Sequence, residues 1–265
     1  MVAPGPILIA TRGDPSSAAA VRVGGMFAAR QHRHLEIVAV VPPVIAPAPG
    51  YGAVGASAQM VSDAACDTIG ARVRAQVSAA VPTIPAAITV EIGAPADGIV
   101  DHAEVIAASM IVLGVGRHAA IDRVLGLETA ISVMRLAHVP VLAVAADAQV
   151  RMTAIAIATD FGASTSRAAH LVTELAMDDA CVHLLHVAPS SDAALSTELA
   201  VFGETLPVPK WGTLRPHLLT GDRAHALIEF CDATGVELIA LGSHGRRSLG
   251  EMVLRHARGS VLFVP

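Results

Sequence analysis

Ile111-Val112-Leu113-Gly114-Val115-Gly116-Arg117-His118 returns in the second half of the chain as Ile239-Ala240-Leu241-Gly242-Ser243-His244-Gly245-Arg246. Each is a short, fully apolar run that ends in a glycine loop. Two further phrases return in the same order. Ile7-Leu8-Ile9-Ala10-Thr11-Arg12-Gly13 is matched by Ile155-Ala156-Ile157-Ala158-Thr159-Asp160-Phe161, and Pro140-Val141-Leu142-Ala143-Val144 by Ser260-Val261-Leu262-Phe263-Val264. Preserved order marks a duplicated domain rather than a chance echo.

Between these phrases each half alternates apolar strands with amphipathic stretches. Ala168, Leu171, Val172 and Leu175 make one helical stripe, and Ala224, Leu227, Ile228 and Cys231 another. Strands are expected at Ile7–Thr11, Ile37–Val41, Ile88–Ile92, Met110–Leu113 and Val141–Val144. Their counterparts are Ile155–Thr159, Val182–Val187, Leu214–Leu219, Leu238–Leu241 and Val261–Val264. Strands that are apolar throughout, alternating with helices, read as a parallel sheet covered on both faces. Right-handed crossovers then give two doubly wound, five-stranded parallel sheets of order 3-2-1-4-5. Pro216 fits that order, because the third strand lies at an edge and a proline cannot donate to a ladder. The expected domains are 1–147 and 148–265, packed as a pseudo-twofold pair through the last strand of each half. The first half carries a Pro/Gly/Ala-rich insert from Pro43 to Met60, read as a mobile loop, and then a helix from about Val61 to Ala79.

Composition narrows the function classes. The chain has 265 residues, 53% hydrophobic, 15% charged and 3% aromatic, so the core is built from Ala, Val, Leu and Ile. A net charge of −5 argues against nucleic acid as a partner, since that needs a basic stripe. Cys66, Cys181 and Cys231 form no CxxC pair and read as buried small hydrophobes in a reducing cytoplasm. Ile37 to Ser62 carries no charge, but Pro42, Pro43, Pro47 and Pro49 break any membrane-spanning helix there, and no signal peptide is expected. His183 and His186 sit three apart on a strand and face opposite sides, so they cannot share a metal. Ser243 and Ser248 have no base at a motif spacing, which leaves no evident nucleophilic site.

In such a sheet, ligands sit beyond the carboxyl ends of the strands, where the order reverses. The glycine loops fall there and can offer backbone N–H groups to a phosphate. At this point the chain resembles a tandem universal stress protein, over nearly its whole length except the insert. Ala158-Thr159-Asp160 resembles the opening strand of that family, with its nucleotide-contacting Asp. Gly242-Ser243-His244-Gly245-Arg246 resembles the start of its G-2X-G-9X-G(S/T) phosphate loop, and Val261-Leu262-Phe263-Val264-Pro265 its last strand. The resemblance implies a flavodoxin-like, Rossmann-like fold and a cytoplasmic stress-response regulatory protein. It also implies adenine nucleotide, ATP or AMP, bound weakly and not required. The rival readings are a ligand-free scaffold acting through an unknown protein partner and, less favoured, a weak ATPase or nucleotide hydrolase. No membrane partner is implied; the two halves make an intrachain pseudo-dimer, and a homodimer is a further option.

Both copies depart from the family pattern. In the first, Arg12 replaces the Asp, and the loop Gly114-Val115-Gly116 is one residue short. Nine residues then lead to Gly126, which Leu127 follows in place of Ser/Thr, with Thr129 nearby to supply the hydroxyl. Its candidate ligand residues are Ala10, Gly114, Gly116, Arg117, Gly126 and Thr129. In the second, Ala158, Thr159, Asp160, Val187, Gly242 and Gly245 are in place. Only four residues separate Gly245 from Gly250, so the phosphate loop is shortened. A final helix at Glu251–Ala257 would set Glu251 beside any phosphate.

Overall fold

The computed structural model describes residues 5–43, 54–116, 120–150, 152–190, 192–207, 212–242 and 247–265. The chain divides into two compact units, Met1–Leu136 and Ala137–Pro265.

The first unit alternates four strands with four helices: β1 (Ile7–Ala10), α1 (Ala18–Arg30), β2 (Leu35–Val41), α2 (Val54–Ala80), β3 (Ala86–Ile92), α3 (Pro95–Val105), β4 (Met110–Val115) and α4 (Ala120–Leu136). The strands are parallel in the order β3-β2-β1-β4. Ile7, Leu8 and Ile9 are fully buried, as are Met110, Ile111 and Val112 beside them. Ala19, Ala20 and Ala28 of α1 are equally buried. Small side chains on the helix let it lie close on the Ile/Val strands, which is how a core nearly free of aromatics fills its volume.

The second unit opens with β5 (Val141–Ala145), the fifth strand of the first repeat. It continues through β6 (Ala154–Ala158), α5 (Ala163–Leu175), β7 (Cys181–Ala188), α6 (Ala193–Glu204), β8 (Thr213–Thr220), α7 (Arg223–Thr234), β9 (Leu238–Gly242), α8 (Arg247–His256) and β10 (Ser260–Val264). The order β8-β7-β6-β9-β10 is parallel throughout and is the expected 3-2-1-4-5. Pro216 lies in β8 at the edge, as a residue without an N–H requires. β5 adds to the far side of β10 in antiparallel register, with Val141 opposite Phe263, Leu142 opposite Leu262 and Ala143 opposite Val261. The two last strands thus meet about a local twofold through Leu142 and Leu262. Both leucines are fully buried, and Ser260 Oγ accepts the Ala145 N–H at 3.2 Å to close one end of the ladder.

Several expectations need correction. The helix of the insert begins at Val54, seven residues before the expected Val61. After the last proline at Pro49, the run Val54-Gly55-Ala56-Ser57-Ala58-Gln59-Met60 holds nothing stronger than a single glycine against helix formation. The rest of the expected loop, 44–53, lies outside the described residues. The final helix begins at Arg247 rather than Glu251. Of the three cysteines only Cys231 is buried, while Cys66 and Cys181 are half-buried. Among the described residues no helix is long and apolar enough to cross a membrane.

Because Leu262 sits at the centre of the β5–β10 ladder with no solvent exposure, Leu262→Ala leaves a cavity that the ladder cannot close. Urea unfolding of this variant should show a loss of about 2–5 kcal/mol relative to wild type. A loss below about 1 kcal/mol, the range of surface substitutions, would mean that the ladder does not carry the packing described.

Candidate functional site

The tip of β6 is built around one hydroxyl. Thr159 follows the strand, and its N–H still donates to Leu185 O of β7 at 2.8 Å. Its buried Oγ1 accepts the Phe161 N–H at 2.8 Å and stands 3.1 Å from Thr165 Oγ1 on α5. This closes a turn in which Phe161 takes a left-handed conformation, φ 62°. That conformation costs a non-glycine residue roughly 1–2 kcal/mol. It is held by packing, since the Phe161 ring lies against His186 and Phe202 at centroid distances of 4.7 and 5.4 Å. The turn throws Asp160 outward. Asp160 Oδ1 accepts the Gly162 N–H at 3.1 Å, and the side chain remains exposed.

The first repeat builds the same turn. Thr11 Oγ1 accepts the Gly13 N–H at 3.0 Å and lies 2.7 Å from Ser17 Oγ, with Gly13 at φ 75° in the place of Phe161. Here the helix α2 intrudes. Thr11 Oγ1 donates to Gln76 Oε1 at 2.7 Å, and Gln76 Nε2 donates to Asp14 O at 2.6 Å. Asp14 caps the short 3-10 turn Pro15–Ser17, its Oδ1 accepting from Ser17 N, Ser16 Oγ and Ser17 Oγ at 3.0, 2.5 and 3.2 Å.

A crevice of about 220 Å3 opens at the carboxyl ends of β6, β7 and β9, where the strand order reverses. Ala158, Thr159, Asp160, Val187 and Gly242 all line it, so five of the residues picked out in the second repeat come together. Gly245, the sixth, lies outside the described residues. The structure adds Leu185, His186, Arg223, Leu227, Leu241 and Leu249. Leu185 was legible as the same-face neighbour of Val187 two residues earlier. Arg223 and Leu249 come from helix starts that no motif marks. His186 donates from Nδ1 to Thr159 O at 2.8 Å, so a neutral ring keeps Nε2 as an acceptor. Gly242 is required by packing: a Cβ there would stand 2.6 Å from Ser164 Cβ at the start of α5. Glu251 does not line the crevice. Because α8 starts at Arg247, Leu249 faces the crevice, and Glu251 Oε1 pairs with Arg255 at 3.0 Å.

The first repeat has a smaller crevice, about 150 Å3, at the ends of β1, β2 and β4. Ala10, Gly126 and Thr129 line it, together with Thr11, Arg12, Asp14 and Ser17 and an apolar floor. Gly114 and Gly116 lie behind it, pressed on the 3-10 turn. A Cβ at Gly114 would stand 2.7 Å from Ser17 Cα, and one at Gly116 would stand 2.9 Å from Ser16 Cβ. Arg117 lies outside the described residues.

His183 and His186 do face opposite ways. His183 turns from the crevice tip towards the β8 edge, where Nδ1 lies 3.0 Å from His217 Nε2 and Nε2 lies 3.6 Å from Cys181 Sγ. Phe230 packs on both rings. Among the described residues no group of three or more His, Cys, Asp or Glu is placed to hold a metal. Burial, then the neighbouring His217 and Arg215 charges, holds the His183 imidazole below its ordinary 6.5. Burial and then Arg215 do the same for His217. The Cys231 thiol is pushed up to about 12 by burial and by Asp232, so it stays protonated.

A model of the universal stress protein family matches residues 5–145. No curated protein matches the chain. A universal stress protein from Archaeoglobus fulgidus shares the fold over 98% of this chain and 96% of its own, with a TM-score of 0.69 and 18% identity. A protein of unknown function from Pseudomonas aeruginosa matches 99% of this chain and 92% of its own, with a TM-score of 0.63 and 13% identity. A universal stress protein solved in complex with cAMP matches 54% of this chain and 98% of its own, with a TM-score of 0.39 and 22% identity. At these identities the full-length likeness is one of fold.

Burial of His183 and His217, with the nearby charges second, makes stability depend on pH. A histidine held below its unfolded value binds fewer protons when folded than when unfolded. Stability is therefore full above about pH 6.5 and falls as the pH drops below it. Thermal unfolding followed across that range should show Tm falling on the acid side, and His217→Gln should flatten the fall. An unchanged slope in His217→Gln would show that the pair does not titrate as a unit.

Proposed function

The chain belongs to the universal stress protein family, and from that premise we propose that it is a stress-response binding protein whose second crevice takes adenosine or AMP in preference to ATP. The supporting observation is the composition of that crevice. Leu185, Val187, Leu227 and Leu241 give an apolar bed of a kind suited to a purine face, and Asp160 stands exposed at the strand tip where a ribose diol can donate to it. His186 Nε2 offers a second acceptor.

In this reading the glycine loop is too short for a triphosphate. Several N–H groups must converge to hold a phosphate chain, and the four residues between Gly245 and Gly250 are too few to wrap one. Because α8 is already formed at Arg247, the helix takes up most of that length. Among the described lining residues Arg223, exposed at the lip, is the cation available to a single phosphate.

The activity in this reading is binding. An occupied crevice favours one set of protein contacts over another, and the nucleotide is a signal, not a reactant. A cytoplasmic setting and a protein partner belong to the same proposal. One observation favours a second reading, a scaffold with both crevices empty: about 220 Å3 is below the roughly 300–1,000 Å3 of ordinary ligand sites.

Calorimetry separates the two. AMP should bind the wild-type chain more tightly than ATP. Asp160→Ala should weaken AMP about tenfold, the low end for a charge-assisted hydrogen bond, because the carboxylate is exposed. ATP binding tighter than AMP, or AMP binding indifferent to Asp160→Ala, would sink the nucleotide reading. No heat and no thermal stabilisation with either ligand would support the scaffold.

A further inference from the structure

We infer that the first crevice is a separate binding site for a small apolar carboxylate and not a second nucleotide site. The inference concerns a different cavity from the proposed AMP site and stands or falls independently of it.

The groups that a ribose needs are already spent. Thr11 Oγ1 donates to Gln76 Oε1, accepts the Gly13 N–H and lies against Ser17 Oγ. Asp14 Oδ1 accepts three hydrogen bonds in capping the 3-10 turn. At the position of Asp160, the exposed carboxylate of the second repeat, stands Arg12. The residue after the strand-tip threonine is therefore an anion in one crevice and a cation in the other. Arg12 is exposed, lines the crevice, and makes no hydrogen bond or ion pair among the described residues. A guanidinium in that state presents a planar fork of donors that matches a carboxylate two bonds at a time.

Beneath Arg12 the floor is apolar: Val38 and Val40 from β2, Pro42, Pro95 and Ile99 at the start of α3, and Leu113 of β4. The space is about 150 Å3. A cavity of about that volume lined by aliphatic side chains is known to admit a benzene-sized body. An apolar ring or short branched chain fills the floor and leaves its carboxylate at the lip, opposite Arg12. Asp14 shares the lining and opposes the anion, but its Oδ1 is held by Ser16 and Ser17. Asp14 keeps its charge but directs that oxygen away to the 3-10 turn, while Arg12, among the described residues, keeps its donors unspent.

Sodium benzoate is the probe, with benzyl alcohol as its neutral counterpart, followed by ligand-observed NMR titration of wild type and of Arg12→Gln. Arg12 is exposed, so the variant keeps its fold; its thermal unfolding curve checks this. Benzoate should bind the wild type at least fivefold more tightly than benzyl alcohol does. Arg12→Gln should remove at least fivefold of benzoate affinity and leave benzyl alcohol unchanged. AMP should not displace benzoate, which separates this site from the one proposed for the second repeat. No benzoate binding, equal affinity in wild type and Arg12→Gln, or displacement by AMP each overturns the inference.

Discussion

At the end of the fourth strand of each repeat the backbone runs against the turn that opens the first helix, and only a hydrogen atom fits where a side chain would stand. Gly114 meets Ser17 there and Gly242 meets Ser164. The contact draws the fourth strand, the tip of the first and the first helix to one point. It allows the threonine after the first strand to close its turn on a hydroxyl of that helix, Thr11 on Ser17 and Thr159 on Thr165. The glycine that a phosphate loop would need is thus also the glycine that packing needs. Its presence alone says little about a ligand, and the residues set around it decide what each crevice can hold.

Around that shared point the repeats have moved apart. The helix after the second strand has 27 residues in the first repeat and 12 in the second. The longer helix brings Gln76, whose amide satisfies Thr11 and Asp14 and leaves the strand tip polar but occupied. The shorter one brings Phe202, which joins Phe161 and His186 in an aromatic stack. That stack supports a left-handed Phe161 where the first repeat uses a glycine, and it leaves Asp160 exposed. The two connecting helices thus surround strand tips that already differ in sequence, an exposed carboxylate at Asp160 in one repeat and an exposed guanidinium at Arg12 in the other.

Much of this was legible in the sequence because it rests on local pattern. Apolar runs without alternation marked buried parallel strands, Pro216 marked an edge, and the repeated order marked two copies. Asp160 and Gly242 fall on the lining of the second crevice, whereas Gly114 and Gly116 pack behind the first. What was not legible depends on contacts between elements distant in sequence. Glu251 was placed beside the phosphates by counting along the loop, but the helix begins at Arg247 and turns Leu249 to the crevice and Glu251 towards Arg255. His186 looks like any strand residue until Thr159 O and the Phe161 ring are seen beside it. The half-buried Cys181 likewise meets His183 across one strand face, which no spacing motif announces.

The antiparallel ladder between β5 and β10 also has a bearing on synthesis. β5 leaves the ribosome with the whole of the second repeat still to be made, and its partner β10 is the last strand of that repeat. Until β10 arrives, Val141-Leu142-Ala143-Val144 carries an apolar strand with the edge that β10 will cover still open. Such an edge invites pairing with another nascent chain. The joint that buries Leu142 and Leu262 so thoroughly in the finished molecule is, during translation, the step with the longest wait.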